Sequence, residues 1–292
     1  MAAEAAADFA TLRARLEAAS FQTLGAQAAR LQNLGRGPAF QSCAAGRVFQ
    51  QPARELEAGG WQRFFMQITE IYKSLQGEST HAGLPCVFVR LTGCNLRCSW
   101  CDSEYTFQGG RKMAVEEVLA EVTRLSPADG LVEITGGEPM LQEREVVPLM
   151  QHLLEEGYKV LLETSGERLL ARVPAGIIKI VDVKCPNSGE GDTFCMENLE
   201  ALGAHDEIKF VLSSRADYEF ARDFTHRHNL AERANAVLFS PAFRKDATGA
   251  RDSSHCLLNP QELAEWMIAD NVPARLGLQL HKFIWDPAVK GV

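Results

Sequence analysis

No stretch of this chain approaches the roughly 20 consecutive apolar residues that a membrane-spanning helix needs, which excludes a helical membrane protein. A surplus of positive charge is missing too. Its 38 Asp and Glu outnumber 30 Lys and Arg, for a net charge of −8, the reverse of the basic footprint that nucleic-acid binding requires. Residues 66–292 contain no internal repeat and no low-complexity tract. The eight cysteines lack the spacing of a secreted disulfide scaffold, so metal binding or thiol chemistry in a cytoplasmic chain is expected instead. Cys43, Cys86, Cys185, Cys195 and Cys256 are scattered and read as ordinary thiols. What remains, with 46 % hydrophobic residues in 292, is a globular protein of one large or two small domains. A small molecule is the expected target.

Composition divides the chain. Residues 1–65 are rich in Ala, Arg and Gln and contain no Lys, Ile or Tyr, all of which are plentiful afterwards. A helix is expected over Ala5–Leu31, with Gly35-Arg36-Gly37-Pro38 and Gly59-Gly60 breaking anything further. Three readings stay open for this extension: an irregular, poorly ordered appendage, a targeting peptide that Glu4 and Asp8 fit badly, or sequence upstream of a true start at Met66. The functional domain is expected over 66–292. There, strand-like runs at Cys86–Leu91, Leu131–Thr135, Lys159–Glu163, Ile177–Val183, Glu207–Leu212, Ala236–Phe239 and Leu276–Leu280 alternate with helical patterns. The helices fall at Ala114–Leu125, Glu145–Glu156, Met196–Leu202, Asp217–Arg227 and Pro260–Asp270. Asn259 before Pro260 is a favourable helix start. Strand–helix repetition predicts an α/β fold with a parallel sheet and right-handed crossovers. Ligands then bind at the carboxyl ends of the strands, where Thr92–Ser103, Gly136–Pro139, Thr164–Gly166 and Lys184–Gly189 fall.

The first of these loops carries Cys94-x3-Cys98-x2-Cys101, with Trp100 before the last cysteine and Gly93 before the first. Three thiolates are one short of a closed zinc tetrahedron and of a saturated [4Fe–4S] cube. They can hold a cube while leaving one iron open. The competing reading is a zinc-stabilised binding module completed by Cys86, Cys185 or a histidine, although no second Cys-x2-Cys exists. Gly136-Gly137-Glu138-Pro139 follows the next strand with backbone bared by two glycines, and Glu163-Thr164-Ser165-Gly166 ends the third. Ser165 alone reads equally as a helix cap. Arg90 is a charge inside an otherwise apolar strand, and a guanidinium binds carboxylates bidentately.

Cys-x3-Cys-x-aromatic-Cys resembles the motif of the radical S-adenosylmethionine (SAM) superfamily. Ile68–Glu78, Ala82–Pro85, Phe88–Leu96, Cys101–Ser103, Thr135–Pro139 and Gln279–Lys282 resemble one of its families, the 7-carboxy-7-deazaguanine synthases. The resemblance covers roughly 66–292 and implies a partial (β/α)6 barrel. It implies a lyase that turns 6-carboxy-5,6,7,8-tetrahydropterin into 7-carboxy-7-deazaguanine and ammonia by radical ring contraction, in queuosine and other 7-deazapurine biosynthesis. A glycyl-radical activase acting on a partner protein is the alternative within the superfamily. The implied cofactors are a [4Fe–4S] cluster on Cys94, Cys98 and Cys101, SAM, and Mg²⁺ on Ser103. SAM contacts carry over to Trp100, Cys101, Asp102, Gly137, Ser165, Asp182, Val183 and Lys184. Asp182 and Val183 depart from the family's Ser-Pro-Lys. Substrate contacts carry over to Leu75, Gln76, Gly77, Glu78, Arg90 and Thr135, with His281 and Lys282 as pocket wall. Some members of the family place their terminal carboxylate on the substrate, at the position of Pro287. Five residues follow here, so either Pro287 or Val292 takes that place. A homodimer and an electron donor such as flavodoxin or ferredoxin are implied as partners.

Overall fold

The computed structural model describes residues 65–249 and 251–292. The expected Ala5–Leu31 helix, Cys43 and the question of a start at Met66 rather than Met1 concern residues outside the described ones.

A nine-stranded mixed sheet organises the chain. Its centre is six parallel strands in sequence order: β2 (Pro85–Leu91), β4 (Leu131–Gly136), β5 (Lys159–Thr164), β6 (Ile178–Asp182), β7 (Glu207–Leu212) and β8 (Ala236–Pro241). They are the six units of the α/β partial barrel that the resemblance implies. The two-residue β9 (Arg275–Leu276) extends it on one side. On the other, β1 (Phe65–Leu75) pairs antiparallel with β2, and β3 (Arg111–Ala114) antiparallel with β1. The strand pattern misses β1 because its register shifts between Ile68 and Glu70, and a bulge breaks the period-two alternation by which a strand is read.

Two sequence expectations need correction. Leu276–Leu280 is not a strand, since only Arg275–Leu276 pairs with β8 and Leu280 begins the helical turn that follows. Met196–Leu202 is a 3-10 turn over Met196–Glu200 rather than a helix.

Helices α1 (Val115–Leu125), α2 (Glu143–Glu155), α3 (Arg215–Arg227), α4 (Leu230–Arg233), α5 (Pro260–Ala269) and α6 (His281–Ile284) accompany the sheet. Each longer helix buries an apolar stripe at helical spacing, such as Val115, Val118 and Val122 on α1, or Val146, Leu149, Met150 and Leu153 on α2. They cover the strand face that carries Val87, Val89, Val132, Ile134, Val160, Leu162, Ile208 and Phe210, and together these form the main core. No helix among the described residues is long and apolar enough to cross a membrane.

The opposite face behaves differently. A small apolar patch of Cys86, Phe88, Leu131, Leu161 and Ile180, backed by Tyr72, lies on it. Further along these strands, and on β7, Arg90, Thr135, Glu163, Asp182 and Lys209 occupy that face. Period-two alternation therefore sends apolar side chains to the helices and charges inward.

The β1–β2 connection closes this inner space from below. It leaves from Leu75, opposite Pro85, at the amino ends of the parallel strands. Thr80 then donates from its backbone N–H to Glu207 Oε2 (3.0 Å) at the start of β7. The sheet thus stays open at its edges, and a loop bridges its mouth.

Candidate active site

The cavity on the inner face is lined by the cysteine loop, the strand ends and the β1–β2 loop. Cys94, Cys98 and Cys101 all reach it. Ser99 anchors the loop by donating its N–H to Ser188 O (2.9 Å), and Arg97 N donates to Glu190 Oε1 (2.6 Å). Burial pushes the Cys98 thiol up to about 11 and raises Cys94 as well. Their protons therefore leave only when cationic metal arrives. Among the described residues, no three His, Cys, Asp or Glu side chains converge tightly enough to hold one metal ion. Three thiolates of one loop that reach the same cavity suit a cube, which takes each on a different iron. The donor set thus fits a cluster.

Gly137 sits where the second loop meets the first. A Cβ there would lie 2.6 Å from Gly93 C and 2.8 Å from Cys94 Cβ, so only glycine permits this approach. Glu138 N donates to Gly93 O (2.8 Å). The buried Glu138 carboxylate accepts from Met140 N, Thr164 Oγ1, Ser165 N and Ser165 Oγ at 2.7–3.0 Å. It clamps the ends of β4 and β5 together, and the Ser165 hydroxyl, predicted as a SAM contact, is spent on this clamp while still lining the cavity.

Trp100, Asp102, Asp182 and Lys184 also line the cavity. Lys184 Nζ donates to Asp182 Oδ2 (2.8 Å), leaving Asp182 Oδ1 buried and unpartnered. An orphaned carboxylate oxygen facing a cavity calls for a donor such as a ribose hydroxyl. Val183 is the exception. It is 1 % exposed and lies in the main core, because strand alternation turns it away from the side that Asp182 faces. Its side chain cannot contact a ligand in this cavity.

Ser103 also faces the cavity and precedes a 3-10 turn, Glu104–Thr106, without capping it through its side chain. The capping role that competes with metal binding is therefore unfilled. Its Oγ lies 3.8 Å from Cys101 Sγ.

The substrate-side residues come from the β1–β2 loop and from the inner face of β2 and β4. Leu75, Gln76, Gly77, Glu78, Arg90 and Thr135 all line the cavity. Arg90 Nε donates to Glu70 Oε1 (2.9 Å) and Arg90 Nη2 to Tyr72 Oη (2.8 Å), which fixes the guanidinium against its strand. Tyr105 Oη donates to the same Glu70 oxygen (2.8 Å). Thr135 Oγ1 donates to Glu163 Oε2 (3.3 Å). A Cβ on Gly77 would collide with the His281 ring.

Glu78 receives Lys209 Nζ (2.8 Å) on one oxygen and Gln279 Nε2 (2.8 Å) on the other. Burial alone would raise its pKa, but Lys209 and His281 outweigh that and bring it down to about 2. Lys209 also donates to Glu163 and lies 3.8 Å from Asp182. Burial would depress its pKa, yet these three carboxylates hold it well above an ordinary lysine. Lys282 Nζ meets Asp102 Oδ2 at 2.5 Å, tying α6 to the residue after Cys101. Burial lowers the His281 pKa, so its imidazole is neutral near pH 7.

Pro287 does not line the cavity, whereas Val292 does. Between the two positions left open by the sequence, the structure brings the second into the site.

Sequence reasoning missed Lys209, Glu133 and Glu163. The signal that flagged Arg90, a charge at an inward position of an apolar strand, applies equally to Lys209 in Glu-Ile-Lys-Phe-Val-Leu and Glu133 in Leu-Val-Glu-Ile-Thr.

The radical SAM superfamily model matches residues 88–182. A 7-carboxy-7-deazaguanine synthase of Koribacter versatilis is 68 % identical over 227 residues, covering 78 % of this chain and 100 % of the relative. Another, of Chlorobaculum tepidum, is 38 % identical over 230 residues, covering 78 % and 97 %. The crystal structure of QueE from Escherichia coli superposes with a TM-score of 0.57 at 26 % identity, over 74 % of this chain and 95 % of that one.

Proposed function

Since this chain belongs to the 7-carboxy-7-deazaguanine synthase family of radical SAM enzymes, we propose that it converts 6-carboxy-5,6,7,8-tetrahydropterin to 7-carboxy-7-deazaguanine and ammonia. It does so as a carbon–nitrogen lyase by radical ring contraction, in queuosine and related 7-deazapurine biosynthesis. One observation carries the reading: a three-cysteine loop, Arg90 and Glu78 all line a single cavity.

When bound, a [4Fe–4S] cluster on Cys94, Cys98 and Cys101 and SAM together supply a carbon-centred oxidant that takes a hydrogen atom from the substrate and later returns it. The rest falls to the chain's own groups. Gly137 bares backbone beside the cluster loop for the methionine end of SAM, and Trp100, Asp102, Asp182 and Lys184 line its path. The Asp182 Oδ1 lone pair accepts a ribose hydroxyl. Arg90, already oriented by Glu70 and Tyr72, offers its remaining N–H groups to the substrate carboxylate. Glu78, ionised at neutral pH, accepts from the 2-amino and ring N–H groups of the pterin. The Ser103 hydroxyl, which caps no helix through its side chain, would hold Mg²⁺, a hard cation that prefers oxygen ligands and would supply charge neutralisation at the substrate carboxylate.

The catalytic domain is assigned to residues 66–292. Thiols kept as metal ligands suit a reducing cytoplasm. A homodimer and a one-electron donor of the flavodoxin or ferredoxin class are inferred on family grounds.

The test is anaerobic turnover of reconstituted protein with SAM, a reductant, Mg²⁺ and 6-carboxytetrahydropterin. 7-Carboxy-7-deazaguanine forms with the native sequence and not with Cys98→Ala, which also loses iron. SAM cleavage without any deazapurine would refute the substrate. Activity unchanged after Mg²⁺ is chelated would refute the role of Ser103.

A further inference from the structure

Glu133 stands in the middle of β4, on the inner face, between Phe88 of β2 and Leu161 of β5 in register. It is 3 % exposed, yet it lines the substrate end of the cavity. One of its oxygens, Oε2, accepts from the Gln76 side-chain amide. Gln76 is equally buried, and its own Oε1 accepts from Glu78 N (2.9 Å). Gln76 is further pinned through its backbone, donating to Leu84 O (2.8 Å) and accepting from Gly83 N (2.7 Å). A relay therefore runs from Glu133 through the Gln76 amide to the backbone of Glu78. Resting on the functional reading above, we propose that Glu133 is a positioning residue for the substrate, holding the Gln76–Glu78 segment in the geometry with which Glu78 meets the pterin edge.

The charges around Glu133 decide the form in which it acts. Glu78 on the loop and Glu163 on β5 are anionic neighbours. Lys209 on β7 spends its ammonium on Glu78, Glu163 and Asp182. Arg90 on β2 is engaged by Glu70 and Tyr72. Cys86 on β2 and Tyr72 on β1 complete the surroundings. The hydrogen-bond partner that Glu133 does have, an amide, is neutral. Burial, followed by the Glu163 charge, raises its pKa well above the carboxylate range. These surroundings favour the neutral, carboxylic-acid form of Glu133. In that form an oxygen of Glu133 still accepts from Gln76 and adds no third negative charge beside Glu78 and Glu163.

The experiment compares Glu133→Gln, Glu133→Leu and Gln76→Leu, all reconstituted, with circular dichroism and iron content confirming fold and cluster. Glu133→Gln is neutral and keeps an acceptor for Gln76, so its KM for the pterin stays within about threefold of the native value at pH 7, under 0.7 kcal/mol. Glu133→Leu raises that KM at least tenfold, about 1.4 kcal/mol, with the KM for SAM unchanged. Gln76→Leu cuts the relay at its other link, so combining it with Glu133→Leu adds little more. As pH rises, pterin KM climbs in the native protein and stays flat in Glu133→Gln. An infrared difference between those two shows a carboxylic-acid carbonyl band at pH 7. A Glu133→Gln variant as impaired as Glu133→Leu, or no such band, overturns the acid form, and an unaffected Glu133→Leu overturns the positioning role. If the native protein makes no deazapurine, the functional reading fails and the substrate role of Glu133 falls with it. The infrared band is read independently of that result.

Discussion

Replacing Lys209 by Met removes the buried cation that three carboxylates share while keeping the stem that fills its volume. Lys209 is 4 % exposed, and Glu78, Glu163 and Asp182 keep 19 %, 26 % and 10 % of their side-chain surface in solvent. Breaking a buried ion pair from one side costs about 3–5 kcal/mol because the partner is left charged and desolvated. A second route gives a similar figure. The Glu78 pKa, about 2 against an ordinary 4.5, corresponds to roughly 3 kcal/mol of linked stability at about 1.4 kcal/mol per unit, of which Lys209 supplies the leading favourable part. Urea unfolding at pH 7, followed by circular dichroism, should therefore lose about 1 M in midpoint for a slope near 3 kcal/mol/M. A depressed carboxylate pKa contributes stability that is fully present above the unfolded value and vanishes as pH falls through the folded one. The gap between native and Lys209→Met curves should accordingly narrow between pH 4.5 and about 2. In a Lys209→Met/Glu78→Gln double variant, part of the loss returns, since the uncompensated charge has gone. A midpoint shift below about 0.3 M, or a double variant no more stable than Lys209→Met, would refute the account of Lys209 as the charge that holds this site together.

Two further outcomes follow from close contacts. Gly77→Ala drives a methyl group into the His281 ring, so the loop or α6 must move. The pterin KM should rise at least tenfold, about 1.4 kcal/mol, while SAM affinity by calorimetry stays unchanged, and an unaltered pterin KM would show that the loop yields freely. Lys282→Met frees Asp102 from its 2.5 Å partner. Because Asp102 keeps 45 % of its side-chain surface exposed, the stability loss should be about 1–2 kcal/mol by urea titration, below the cost for a fully buried pair.

The legible parts of this molecule were local. Cys94, Cys98 and Cys101 announce themselves by spacing, and the six parallel strands by apolar runs bounded with turn residues. Arg90 stood out as a charge in an apolar strand, although its partners Glu70 and Tyr72 lie on a strand hidden by its bulge. Lys209 and Glu133 carried the same mark as Arg90, but their meaning depends on which carboxylates and amides surround them. Those partners lie 27 to 131 residues away in sequence. Val183 misled because motif position says nothing of which strand face a residue takes. Leu276–Leu280 is as apolar as a strand should be, yet Gly277 and the start of α6 end its pairing after two residues.

The bridge between Asp102 and Lys282 spans 180 residues, and that between Glu78 and Gln279 spans 201. At about 5–20 residues per second of synthesis, the cysteine loop emerges roughly 10–40 s before the segment that will wall it in. The nascent chain therefore presents a three-thiol loop with its α6 wall still unmade. Metal delivery has a window during translation in which neither Lys282 nor His281 stands in the way. After that window closes, the same segment shields whatever was loaded. In this chain, the order of synthesis places the three thiols ahead of the segment that walls their cavity.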